Sequence, residues 1–193
     1  MTFYPADAPV PAGIRTDEFL LRMLRAADAP LDYEAVMASQ EGLLAASGGH
    51  WPAAGFTLAE NLADLQEHER EHLAREAFTF TVMDPAEAVC LGCVYVRPLA
   101  RLLEHYGLDP ALVPGATARS AHLDFWVRPE AERADLDRRL ARALRDWFAR
   151  DWAFDLVAFT ANRHEPRQAA AYEAASLRRF VTLPTPNAVA LYA

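Results

Sequence analysis

A chain of 193 residues with 52% hydrophobic and 24% charged side chains has an ordinary globular composition, enough for one good core and too little for two comfortable ones. Its net charge of -8 excludes the basic stripe that a nucleic-acid surface needs, and no apolar run is long enough to cross a bilayer. All 19 basic residues are arginine, so neither a lysine Schiff base nor a lysine general base is available.

The segment from Met1 to Ala12 carries Pro5, Pro9 and Pro11 with Asp7. It has neither the basic start nor the apolar middle of a signal peptide. Residues 1–16 are therefore expected to form a flexible tail and residues 17–193 a single domain, in a cytoplasmic protein. Glu18 to Arg25 predicts a first strand. Asp28 reads as an N-cap with Pro30 in the first turn, opening a helix to about Ala46 that Gly48-Gly49 stops. Thr57 and Glu60 form a capping box, and Leu58, Leu62, Leu65 and Leu73 follow on one helical face, to an end near Arg75.

Next comes a β-hairpin: Phe78 to Val82 alternates, Asp84-Pro85 turns, and Ala88 to Val96 is nearly continuous apolar. Cys90 and Cys93 lie in that second strand. Their odd spacing sends them to opposite faces, as core thiols rather than a metal or redox pair. Leu99 to Ser120 is long for a connection. It can hold a short helix from Leu99 to Tyr106 and serve as a lid or a contact surface, including a homodimer contact. His122 to Val127 is a strand ended by Arg128-Pro129. One long helix follows, with Leu136, Leu140, Ala143, Leu144, Trp147 and Phe148 on one face. Phe154 to Thr160 predicts a buried strand, Glu165 to Ser176 a helix, and Arg179 to Leu183 with Ala188 to Tyr192 a closing hairpin. This order calls for a mixed sheet with helices on both faces.

His68-Glu69-Arg70-Glu71-His72 matches HExxH, a zinc-binding helix pattern. A catalytic zinc needs a third protein ligand, which the longer pattern would supply and this chain lacks, so no metal is expected.

The element order resembles the GNAT superfamily of N-acetyltransferases. The hairpin Phe78 to Pro98 with Gly92, the strand and turn His122 to Glu130, and the late-helix segment Ala171-Tyr172-Glu173 carry the resemblance. It implies an α/β (α+β) fold with a mostly antiparallel sheet and acetyl-CoA as co-substrate, bound along Val127, Arg128, Arg133, Asp135, Leu136, Arg138 and Arg139. Family members cradle the pyrophosphate on a glycine-bearing turn. Here the two small positions fall on Asp135 and Asp137, or on Leu136 and Arg138 with Arg133 leading, and neither register has glycine. The four arginines at 128, 133, 138 and 139 would pair with phosphates directly, or they form a solvated face with nearby carboxylates. Transfer to an amine needs a base and an acid. Tyr172 stands where the family often puts the acid. His122 and Asp124, two apart on one strand face with Trp126, are candidates for base and orienter. Glu69 and Trp126 would meet a small-molecule or peptide amine acceptor. The resemblance thus implies an acyl-CoA-dependent N-acyltransferase; the alternative is a GNAT-fold module that binds without turnover.

Overall fold

The computed structural model describes residues 3–193. Eight strands form one sheet: β1 (Gly13–Arg15), β2 (Leu20–Met23), β3 (Phe78–Met83), β4 (Cys90–Pro98), β5 (Ser120–Val127), β6 (Leu156–Ala161), β7 (Arg179–Thr182) and β8 (Ala190–Tyr192). They lie in the order β1-β2-β3-β4-β5-β6-β8-β7. The β5–β6 pair is parallel and the rest are antiparallel. The helices are α1 (Ala29–Ala38), α2 (Gln40–Ala46), α3 (Leu58–Ala74), α4 (Leu99–His105), α5 (Pro129–Arg133), α6 (Leu136–Asp151) and α7 (Pro166–Ala174).

Strand alternation splits the sheet between two layers. Phe78, Phe80, Val94, Val96, Leu123 and Phe125 pack under α6 and α7, with Leu140, Leu144 and Trp147 from the predicted stripe fully or almost fully buried. The opposite face presents Thr79, Thr81, Cys93, Tyr95, Arg97, His122, Asp124 and Trp126 toward α1, α3 and α4. Its polarity is the first structural sign of a site, because a face meant only for packing would be apolar.

Several expectations change. The N-terminal segment is packed, not loose: Tyr4 is 2% exposed and meets Phe78, Trp152 and Phe154 with ring centroids 5.0–5.4 Å apart. Arg75, at a left-handed C-cap of α3, donates to the carbonyls of Pro5, Ala6 and Ala8. Residues 13–15 then pair as β1. The predicted Asp28–Ala46 helix breaks at Ser39, whose hydroxyl donates to the Ala35 carbonyl. The long helix after Pro129 is two helices, separated at Ala134-Asp135.

The Thr57–Glu60 capping box forms as read, but α3 is rotated from its leucine face. Leu58, Leu62 and Leu73 are exposed, and Asn61, Leu65 and His72 are buried. A register shift between Val82 and Met83 leaves Leu91 as the extra residue of a β-bulge in β4. One extra residue reverses the side of everything before it. Cys90 and Cys93 therefore share the α1 face instead of opposing one another: Cys90 packs with Ala35, and Cys93 with Ala29 and Leu65.

Candidate active site

A cavity of about 610 Å³ lies on the polar face of the sheet. Its floor is Tyr95 and Arg97 of β4 with His122, Asp124 and Trp126 of β5. The ladder sets Tyr95 against Asp124 and Arg97 against His122. Asn61, Asp64, Leu65 and His68 of α3 form one wall, and Asp32 and Leu43 of α1 and α2 close the end. Leu102 of α4 and Tyr106 just after it supply the wall opposite, so the long β4–β5 connection covers the cavity.

Below this floor the sheet is split. The β5–β6 ladder runs only from Ser120↔Leu156 to Leu123↔Phe159, while β5 continues to Val127. The Leu123 carbonyl faces β6, where it accepts from Thr160 Oγ1. By alternation, the amides and carbonyls of Phe125 and Val127 face the same way, with no strand beside them. Phe125 and Ala161 belong to the core of the other layer, yet both border the cavity. The cavity thus opens into the split between β5 and β6. Among the described residues no side chain caps the start of α6, which leaves the N–H groups of Leu136, Asp137 and Arg138 as helix-start donors.

Charge at the floor is tightly arranged. Arg97 Nη1 donates to Asp124 Oδ1 at 3.2 Å, and its guanidinium lies 4.4 Å from the Tyr95 ring centroid. His122 Nδ1 is 4.0 Å from Asp124 Oδ1 and has no hydrogen-bond partner among the described residues. Burial, reinforced by Arg97, pushes the His122 pKa down to about 3, and the same causes bring His68 to about 4. Both imidazoles are therefore neutral and weak bases at pH 7. The Asp124 side chain is 37% exposed, but to a cavity walled by protein, so desolvation still raises its pKa against the pull of Arg97. Glu165, the residue before α7, accepts from the Asn162 N–H at 2.9 Å. Burial raises its pKa to about 7 despite that bond, with the Asp124 charge adding to the rise.

No family model and no curated protein matches the chain by sequence. Solved structures match it along nearly its whole length. The ribosomal-protein-S5-alanine acetyltransferase from Vibrio fischeri aligns at TM-score 0.67 and 16% identity, over 94% of each chain. The chain has the GNAT fold. A ribosomal L7/L12 α-N-protein acetyltransferase in complex with coenzyme A aligns at TM-score 0.69 and 12% identity, over 95% of each chain. The aminoglycoside acetyltransferase AAC(6')-Ib, in complex with paromomycin and acetyl-CoA, aligns at 0.63 and 19%, over 91% of this chain and 92% of that one.

Set within this GNAT fold, the residues singled out from sequence scatter. His122, Asp124 and Trp126 do share the cavity floor. Glu69 does not reach it: its carboxylate accepts from the Ala26 N–H at 2.9 Å, so the α3 residues at the cavity are Asp64 and His68 instead. Tyr172 is fully buried outside the lining; its hydroxyl donates to the Thr160 carbonyl at 3.1 Å and accepts from Gln168 at 2.8 Å. His72 Nδ1 lies 3.1 Å from the Thr79 carbonyl, with its ring packed against Phe78 and Phe80.

In the turn, Asp135 is left-handed at φ 57°, the conformation glycine would take in the first of the two registers. Asp137 is 2% exposed and paired with Arg167 Nε at 2.7 Å. The turn arginines all have acidic partners: Arg128 with Glu34, Arg133 with Glu130, Arg138 with Asp135 and Arg139 with Glu18. Leu136 is buried. The cavity residues that sequence reasoning passed over are Arg97, Glu165, Asp32 and Asp64. Only Arg97, next to the strand-ending Pro98, carried a local signal.

Proposed function

We propose that the protein is an acyl-CoA-dependent N-acyltransferase, with acetyl-CoA as donor and an amine acceptor held in the cavity. The observation that carries this reading is the split between β5 and β6, into which the polar cavity opens. A linear chain bearing amides can add to the free edge at Phe125 and Val127 as a strand would. A thioester at its end would then enter the cavity beside Asp124 and Glu165. The phosphates would meet the α6 start, where the exposed arginine–carboxylate pairs are worth at most about 1 kcal/mol each and yield to a stronger anion.

When bound, acetyl-CoA supplies the activated acyl group. Glu165 takes the proton that the attacking amine must lose, as a base matched to neutral pH. Asp124 holds the incoming ammonium near it, so that this first proton loss frees the amine for attack, and the proton the nitrogen sheds after attack passes through solvent to the leaving thiolate. Tyr172 ties α7 to the β6 end through Thr160.

Calorimetry with acetyl-CoA and with pantetheine, which lacks the phosphates, tests the reading. We expect acetyl-CoA to bind more tightly, though more weakly than to a glycine-bearing turn. Equal binding of the two would remove the phosphate site. Failure of both would favour the non-catalytic GNAT-fold module, a reading supported by the fully paired arginines and by the acids at 135 and 137.

A further inference from the structure

The cavity holds more carboxyl groups than it holds cations to pair with them. Asp32, Asp64, Asp124 and Glu165 face a single arginine, Arg97. Asp124 takes that arginine; Asp32, Asp64 and Glu165 have no cation among the groups that set their pKa values. Asp32 is the sharpest case. It is 3% exposed, and its hydrogen bonds come only from neutral groups, the Asn61 side chain and the Cys93 thiol, which meets Oδ1 at 3.3 Å. Buried carboxylates are normally paired, and the chain does pair Asp28, with Arg22 at 2.8 Å.

The acids fall in two places. Asp124 and Glu165 stand at the split. Asp32 lies at Cys93, which the ladder sets opposite Trp126, two residues further along β5 than Asp124. That is roughly 7 Å away by strand rise. Asp64 lines the same cavity from α3, and Trp51 adds a second indole to the lining. A separate observation also points to a ligand with N–H donors. His122 is 7% exposed and borders the cavity, and its Nδ1 has no hydrogen-bond partner among the described residues.

We propose that the acceptor is a small molecule with at least two cationic amines, one placed at Asp124 and Glu165 for acylation and the other held by Asp32 and Asp64 between Trp51 and Trp126. The inference rests on the acyltransferase reading but can fail separately from it.

Putrescine and butylamine have the same carbon chain and differ by one amino group. Calorimetry of each with the full-length protein, without cofactor, should show putrescine binding at least about tenfold more tightly, as expected for one added charge contact in a walled cavity. Asp64→Asn and Asp32→Asn should each shrink that preference while leaving butylamine affinity nearly unchanged. Asp64 is the safer variant because it is the more exposed of the two. Equal affinity of the two amines for the wild-type protein would overturn the inference, as would an undiminished preference in a folded Asp64→Asn variant. A putrescine preference in a protein that binds no acetyl-CoA would support the diamine site and sink the acyltransferase reading.

Discussion

Arg167→Ala is the perturbation with the best-defined consequence. Arg167 reaches from the first turn of α7 to the start of α6, where it pairs with Asp137 at 2.7 Å and Asp135 at 3.4 Å and donates to the Glu132 carbonyl. The two partners differ in burial: the Asp137 side chain is 2% exposed and that of Arg167 43%. Removing one member of a fully buried pair costs about 3–5 kcal/mol. The exposed guanidinium was already partly screened by water, while the carboxylate left behind stays buried. An intermediate loss of about 2–3 kcal/mol is therefore expected, near the upper end for a charged hydrogen bond. For a chain of this size that corresponds to a fall in Tm of roughly 4–12 °C. Urea denaturation followed by circular dichroism measures it, and the cycle with Asp137→Ala separates pairing from packing. In the Arg167→Ala background, Asp137→Ala should cost less than it does alone. If Arg167→Ala stays within about 0.5 kcal/mol of wild type, as an ordinary surface change would, or if the cycle shows no coupling, the pair does not hold the α6 start.

Glu165→Gln should lower turnover by roughly 10²–10⁴-fold. In the wild-type enzyme the rate should fall tenfold per pH unit below about 7 and level off above it, since the base works only when deprotonated. Asp124, Arg97, His122 and His68 face the same cavity, and a rate that ignores pH between 5 and 8 would reject Glu165 as the base. Gly92→Ala should cost about 3 kcal/mol or more, the severe end of overpacking, because its Cβ would stand 2.0 Å from the Trp126 carbonyl oxygen and 2.8 Å from Val127 Cα. A denaturation midpoint close to wild type would mean that β4 and β5 are not so closely apposed. Tyr172→Phe should lose about 1 kcal/mol of stability and keep turnover within about tenfold; a 10²–10⁴-fold loss of rate would restore Tyr172 as the acid.

The parts legible in the sequence are those governed by a single local period. The Leu140 and Trp147 stripe and the β3–β4 hairpin lie close to their predicted places because burial on one face imposes 3.6-residue or two-residue repeats. Period two likewise placed His122, Asp124 and Trp126 together. The rotation of α3 was hidden, since leucines at helical spacing look buried whether or not a wall stands before them. The bulge at Leu91 was hidden too. It adds one residue to β4 that β3 does not match, which no local period reveals, and it moved Cys90 across the sheet. Glu165, Asp32 and Asp64 come from three separate elements and meet only when the sheet is assembled, so no spacing could announce them.

The left-handed Asp135 has an evolutionary corollary. Codons for aspartate and glycine differ by one base. Here that one change would relieve a strained backbone, worth about 1–3 kcal/mol, and delete a negative charge while leaving the main-chain path of the turn as it is. Lineages with an acidic turn and lineages with a glycine turn are then adjacent in sequence space, with no unfolded step between them. A search pattern that insists on glycine would divide them into separate groups, although φ 57° at Asp135 is a conformation that glycine adopts as well.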